Sequence, residues 1–154
     1  MSQPMIQTHE LTKHYGGIKA IDHLNLEVYE GEIFGFLGPN GSGKTTTLLM
    51  LMGLTVPTSG TATVGGYDII KDSKKVRTIA GLLPEGAGYY EDLTARQNLK
   101  YIAQLNDIPR IEAEKRASEL LKTVGLAKWA DTKVEKFSRG MKQRLGIAQV
   151  LIKR

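Results

Sequence analysis

The sequence predicts an α/β fold, a strand-rich lobe followed by a helical one, and three observations carry that prediction. Apolar and polar residues alternate near the start. A nearly continuous apolar run then leads into a glycine-rich loop that opens a helix. From about Tyr89 onward the periodicity is helical.

The elements follow in order. Leu24, Leu26 and Val28 alternate with Asn25 and Glu27, the period of a half-buried strand. Glu30–Gly31 offers a tight turn into Glu32–Leu37, a short apolar strand. A helix is expected from Lys44 to Met52, burying Leu48, Leu49, Leu51 and Met52, with Gly53 as its C-terminal cap and Pro57 as a breaker. Thr61–Val64, Gly65–Gly66 and Tyr67–Ile69 read as a hairpin, because paired glycines supply the positive φ angles of a two-residue turn. Thr94 and Gln97 have capping-box spacing. Pro109 suits the first turn of a further helix whose apolar stripe is Ala113, Ala117, Leu120, Leu121 and Val124, ending at Gly125. Ser138 reads as the cap of a last helix. The division expected is residues 1–88 as the α/β lobe and 89–154 as the helical lobe.

Composition narrows the function classes. The chain has 154 residues, 41% hydrophobic and 24% charged, ordinary for a globular protein. No apolar run approaches the ~20 residues that a membrane-spanning helix needs. The first residues lack a basic region followed by a long apolar stretch, so no secretion signal is expected. Cysteine is absent, which excludes disulfides and thiolate metal sites and fits a reducing cytoplasm. The net charge of +5 is scattered, with no arginine–aromatic interleaving, so nucleic acid is not expected as a partner. The histidines, His9, His14 and His23, read as ordinary surface or strand residues.

Gly38–Pro39–Asn40–Gly41–Ser42–Gly43–Lys44–Thr45 fits G-x-x-x-x-G-K-[ST], placed after an apolar strand and at the start of a helix. Phosphates need several backbone N–H groups converging on one point, and side chains in such a loop would block the approach. Glycines at 38, 41 and 43 clear it and permit unusual backbone angles. The helix N-terminus favours an anion by on the order of 1 kcal/mol. Lys44 can reach the β and γ phosphates, and the Thr45 hydroxyl can ligate Mg²⁺. The pattern alone does not separate a kinase from a GTPase or a transport motor.

Phe137–Ser138–Arg139–Gly140–Met141–Lys142–Gln143–Arg144 resembles the signature motif of ATP-binding-cassette (ABC) ATPases, usually L-S-G-G-Q. The resemblance runs through the whole chain, including Leu11–Tyr15, Gly38–Thr46, Pro57–Gly60 and Leu83–Glu85, and the Arg139 and Met141 variants look like the drug-exporter branch. It implies a P-loop cassette of strand-rich lobe plus helical subdomain, with ATP and Mg²⁺ as cofactors. Nucleotide-binding positions carried over are Tyr15, Gly38, Asn40, Gly41, Ser42, Gly43, Lys44, Thr45 and Thr46, with Tyr15 stacking on adenine; the plain alternative for Tyr15 is an aromatic packed at a strand end. Ser138, Arg139, Gly140 and Met141 would face the nucleotide of a second cassette, and Ser138 would also serve as a helix cap. Glu85 stands where the family usually has a glutamine that touches Mg²⁺, so Thr45 and Glu85 form the expected metal shell; the alternative for Glu85 is a solvated loop carboxylate.

The family's Asp-Glu pair, closing an apolar strand and serving Mg²⁺ and the attacking water, is not found: Asp68 follows Gly–Gly–Tyr, Asp92 follows Tyr–Tyr–Glu, and Asp131 lies in a polar stretch. No catalytic residue is therefore assigned. The sequence reads as an N-terminal fragment lacking the C-terminal core strands, expected to bind ATP, to hydrolyse it negligibly, and to expose unpaired sheet edges. The function implied is the ATP-binding subunit of an ABC transporter, an exporter, on the cytoplasmic face of a membrane with a second cassette and transmembrane permease subunits. The alternatives are a soluble ABC protein acting on ribosomes or nucleic acid, a P-loop phosphotransferase, and a regulatory nucleotide-binding module.

Overall fold

The alternation read near the start belongs to a long antiparallel hairpin. In the computed structural model, which describes residues 3–84, 86 and 88–153, β1 (Ile6–Tyr15) pairs with β2 (Ile18–Val28), from Ile6 opposite Val28 to Tyr15 opposite Ile18. β3 (Ser59–Val64) adds to the other edge of β1 and β4 (Tyr67–Asp68) to β3, giving the antiparallel order β2-β1-β3-β4. Val64 opposes Tyr67, and Gly65 and Gly66 both have positive φ, 56° and 78°, as a two-residue hairpin turn requires.

α1 (Lys44–Leu51) ends as its sequence predicts. Gly53 is left-handed at φ 63°, its N–H donates to the Met50 carbonyl at 2.9 Å, and the Leu54 N–H donates to that of Leu49 at 2.9 Å. This double bond pattern satisfies carbonyls that a helix end otherwise leaves open. Met50 and Leu51 pack with Leu11, Ile21, Ala62, Val64, Ile69 and Val76 into the core of the first unit, Met1–Leu82. Val76 comes from α2 (Ser73–Ile79), a helix too short and too sparsely apolar for its periodicity to announce it.

The expected strand Glu32–Leu37 does not form. That segment is irregular, with Ile33 and Leu37 almost fully exposed at 103% and 92%. An unbroken apolar run is what a strand buried on both faces needs, and such a strand exists only with neighbours to complete its ladder. Among the described residues no strand pairs with it.

The second unit, Leu83–Arg154, is helical. α3 (Ala95–Leu105) begins with the predicted capping box: the Gln97 N–H donates to Thr94 Oγ1 at 3.1 Å, and the Thr94 N–H to Gln97 Oε1 at 2.8 Å. α4 (Arg110–Thr123) takes Pro109 as its N-cap, buries Ala113, Ala117 and Leu121, and ends at Gly125, φ 70°. α5 (Arg139–Leu151) completes the unit. Alanines at 95, 103, 113, 117 and 148, all at most 0% exposed, let the helices approach closely around Leu99, Leu126, Val134 and Leu145.

Two predictions follow from this packing. Gly60 has φ 79°, and a Cβ there would stand 2.2 Å from the Glu10 carbonyl oxygen, where β1 bulges with Glu10 itself at φ 49°. The atoms it would meet, in Glu10 and His9, are all backbone. Gly60→Ala is therefore expected to cost about 2 kcal/mol or more and to lower the melting temperature by several degrees in a thermal scan. In the helical unit, Arg96 donates to Asp131 at 2.9 Å and to Glu114 at 3.3 Å, and Lys100 reaches Glu114 at 2.5 Å. The Arg96 hydrogen bond holds the Asp131 carboxyl below the usual carboxylate range, and the Lys100 hydrogen bond does the same for Glu114. Lowered native values mean that the pairs stabilise above the unfolded carboxylate range and lose that contribution as pH falls through the native one. Arg96→Met should lower the melting temperature at neutral pH, and its difference from the wild type should narrow as the pH is taken to about 3.

Candidate functional site

Residues 38–45 link the irregular segment to α1 through a turn that only glycine accommodates. Gly41 and Gly43 have φ 80° and 86°. Gly43 is the N-cap of α1, and a Cβ on it would lie 2.4 Å from the Ala20 carbonyl and 2.3 Å from Ile21 Cδ1, so the loop is seated directly against β2. Substituting Gly43 would strain the backbone and push the loop off that strand.

The loop's side chains divide by what they hold. Thr47 is buried, and its hydroxyl donates to the Gly43 carbonyl at 3.1 Å, which ties the first turn of α1 together. The Thr45 hydroxyl is exposed and makes no hydrogen bond among the described residues. Lys44 extends back over the loop, its Nζ donating to the Gly38 carbonyl at 2.7 Å and the Pro39 carbonyl at 2.6 Å. One ammonium thus stands over the mouth of a concave backbone loop at a helix N-terminus, an arrangement suited to a multiply charged phosphate group. Asn40, Gly41 and Ser42 are exposed on its rim. Tyr15 lies at the end of β1 beside the Gly16–Gly17 turn, half exposed.

The residues present fit Mg²⁺ in a limited way. No group of three or more His, Asp or Glu able to hold a metal occurs among the described residues. Thr45 offers one hard oxygen, and Mg²⁺ commonly keeps waters and takes its remaining ligands from substrate phosphates. Glu85 lies outside the described residues.

In the second unit, Ser138 caps α5: the Met141 N–H donates to its hydroxyl at 3.3 Å. Ser138, Arg139 and Gly140 are exposed, while buried Phe137 and half-buried Met141 anchor the turn in the helical core. The turn is tied to Leu83, Tyr89 and Glu91 by contacts the sequence did not announce. The Tyr89 hydroxyl donates to the Lys142 carbonyl at 2.5 Å, and Lys142 Nζ meets Glu91 at 2.5 Å. Gly146, inside α5, leaves room for this: a Cβ there would fall 2.5 Å from Leu83 Cδ1 and 2.7 Å from the Tyr89 hydroxyl. A glycine within a helix, which usually weakens it, was the available signal. Burial raises the Tyr89 hydroxyl's pKa and keeps it a donor. Buried Asn98 fixes the next stretch, accepting from the Tyr90 N–H at 3.0 Å and donating to the Tyr90 and Thr94 carbonyls at 3.0 Å. A cleft of about 860 Å³ opens beside the turn, lined by Leu83, Pro84, Tyr89, Phe137, Arg139 and Lys142 among others.

The family model described as ABC transporter matches residues 21–154. The bacitracin transport ATP-binding protein BcrA of Bacillus licheniformis is 47% identical over 148 residues, covering 96% of this chain and 47% of that protein. The linearmycin resistance ATP-binding protein LnrL of Bacillus subtilis is 40% identical, covering 96% of this chain and 48% of that protein. The chain thus spans about half the length of these relatives. Among solved structures, cbiO1 from Clostridium perfringens, described as part of the ABC transporter complex cbiONQ, superposes with a TM-score of 0.87 at 26% identity, over 99% of this chain and 62% of that one.

The Tyr89 contact makes a direct prediction. Tyr89→Phe keeps the buried ring and removes only the donor to Lys142, so it should lower stability by about 1 kcal/mol in a denaturant titration. An unchanged midpoint would mean that the hydroxyl holds nothing.

Proposed function

The chain belongs to the ABC transporter family, and we propose that it is the nucleotide-binding portion of a transport motor, gripping ATP with Mg²⁺ at the Gly38–Thr46 loop. The observation that carries the reading is the loop itself: left-handed glycines at 41 and 43, an ammonium over its mouth, and an uncommitted hydroxyl at Thr45. Gly38, Asn40, Gly41, Ser42 and Gly43 would surround the phosphates with backbone, Lys44 would exchange its two carbonyl partners for phosphate oxygens, and Thr45 would supply one ligand to Mg²⁺. Thr46, half-buried in the same turn, belongs to this cradle. Tyr15 would stack against the adenine, a contact typically worth ~1–3 kcal/mol.

Ser138, Arg139, Gly140 and Met141 would meet the γ phosphate held by a second cassette, since an exposed, capped helix N-terminus next to a guanidinium favours an anion. Nucleotide then bridges two copies, and binding favours the closed pair. The named relatives concern bacitracin transport and linearmycin resistance. In line with them, the reading extends to an exporter whose permease subunits span the membrane, with this chain on its cytoplasmic face. No helix among the described residues is long and apolar enough to cross a membrane. No residue of the sequence is assigned to activating water, because no Asp-Glu pair closes an apolar strand in it.

Calorimetric titration with ATP and Mg²⁺ tests the reading. Lys44→Ala removes charge-assisted hydrogen bonds worth ~1.5–3 kcal/mol and should weaken binding by about 10- to 100-fold. Thr45→Ala, whose hydroxyl holds nothing among the described residues, should reduce only the Mg²⁺-dependent part of the affinity. Binding that neither substitution weakens would sink the assignment.

A further inference from the structure

Tyr15 stands at an awkward place for a stacking platform. It is the last residue of β1, half exposed, beside a turn of two glycines, and its ring has no aromatic neighbour among the described residues. A ring so placed would be free to swing. What holds it is Lys13, two residues earlier and therefore on the same face of the strand. The Lys13 Nζ lies 4.9 Å from the centroid of the Tyr15 ring, within the range of a cation–π contact.

The cation is itself fixed. Lys13 Nζ donates to the Val56 carbonyl at 2.7 Å. Val56 lies just past the Gly53 cap that closes α1, the helix opened by the phosphate loop. The turn containing it is bonded to β1 twice more: the Thr58 N–H donates to the Thr12 carbonyl at 2.8 Å, and the His14 N–H to Thr58 Oγ1 at 2.9 Å. Lys13 therefore joins the exposed ring to the segment that follows α1, the helix whose near end forms the phosphate loop.

We propose that Lys13 is a positioning residue for the nucleotide base, clamping one face of Tyr15 through its anchor at Val56 and presenting the opposite face to a purine. The inference rests on the reading that Tyr15 stacks on the base. An aromatic ring carries negative charge on its faces. A cation beneath one face draws that charge toward itself, and the opposite face then suits an electron-rich ring. The ring is also ordered before the ligand arrives, so less freedom is lost on binding.

The test compares ATP with inorganic tripolyphosphate, which carries the phosphates and no base, in equilibrium titrations with Mg²⁺. Lys13→Met keeps the aliphatic stem and removes the cation. It should weaken ATP binding by roughly two- to fivefold, the size of an exposed cation–π contact, and leave tripolyphosphate binding unchanged. Lys13→Arg should restore the ATP affinity. In a Tyr15→Leu background, Lys13→Met should have no further effect, because its partner is gone. Unchanged ATP binding in Lys13→Met overturns the proposal, and so does tighter binding, which would mean that the ammonium occupies the face the base needs. An equal loss for ATP and tripolyphosphate overturns it too, since Lys13 would then act on the phosphates or on the fold. If the wild type binds both ligands equally well, Tyr15 does not stack on a base, and the inference falls with the reading beneath it.

Discussion

A β-carbon on residue 43 would stand 2.4 Å from the Ala20 carbonyl oxygen, on a backbone already at φ 86°. Much of the first unit depends on that one prohibition. It lets the loop rest against β2, fixes where α1 begins, and so sets the direction in which the helix's unsatisfied N–H groups face. It also brings Ile21 alongside the loop, and Ile21 is part of the core that Met50 and Leu51 fill from the other end of α1. The element that would grip phosphate is thus packed into the same cluster that stabilises the sheet. Lys44, which spans the loop to the Gly38 and Pro39 carbonyls, closes the turn from above.

Where structure is decided by neighbours in sequence, it was legible. Thr94 and Gln97 cap α3 because each side chain needs only a backbone group three residues away. Gly53 and Gly125 end their helices because left-handed backbone is cheap for glycine alone, and Gly65–Gly66 turns its hairpin for the same reason. The left-handed glycines of the loop at residues 38–45 are legible on this basis too, since the motif demands a local sequence of backbone angles. Ser138 was readable as a cap from its place before a helical pattern, and its hydroxyl accepts the Met141 N–H accordingly.

Where structure is decided at a distance, the sequence was silent or misleading. Glu32–Leu37 has the composition of a buried strand, but a strand is a relation between backbones, and among the described residues none is paired with it. Asn98 reads as a polar residue in a helix and is fully buried, because Tyr90 returns to bond its amide twice, donating to Oδ1 and accepting from Nδ2, while Nδ2 also donates to the Thr94 carbonyl. The bulge at Glu10 and the glycine at 60 explain each other only once β1 and β3 are side by side. None of these contacts has a period or a motif.

On the proposed reading, one helix end at Ser138 would serve two demands without conflict. Stability requires the turn to be rigid: the Ser138 cap, the buried Phe137 and the bond from Tyr89 to the Lys142 carbonyl all act within a few residues of one another. Recognition of an anion requires the same turn to be exposed, and its outer residues, Arg139 and Gly140, are. The two requirements separate by direction, because side chains anchoring the helix point into the unit while its free N–H groups point along the axis and out. Gly146 completes the arrangement one turn beyond Lys142. By giving up a side chain it admits Leu83 and Tyr89 against α5, so that these two residues, Glu91 and the capped turn are held by a shared set of contacts. A displacement of that segment would have to break the Tyr89 hydrogen bond and the Lys142–Glu91 pair, or else carry the turn with it.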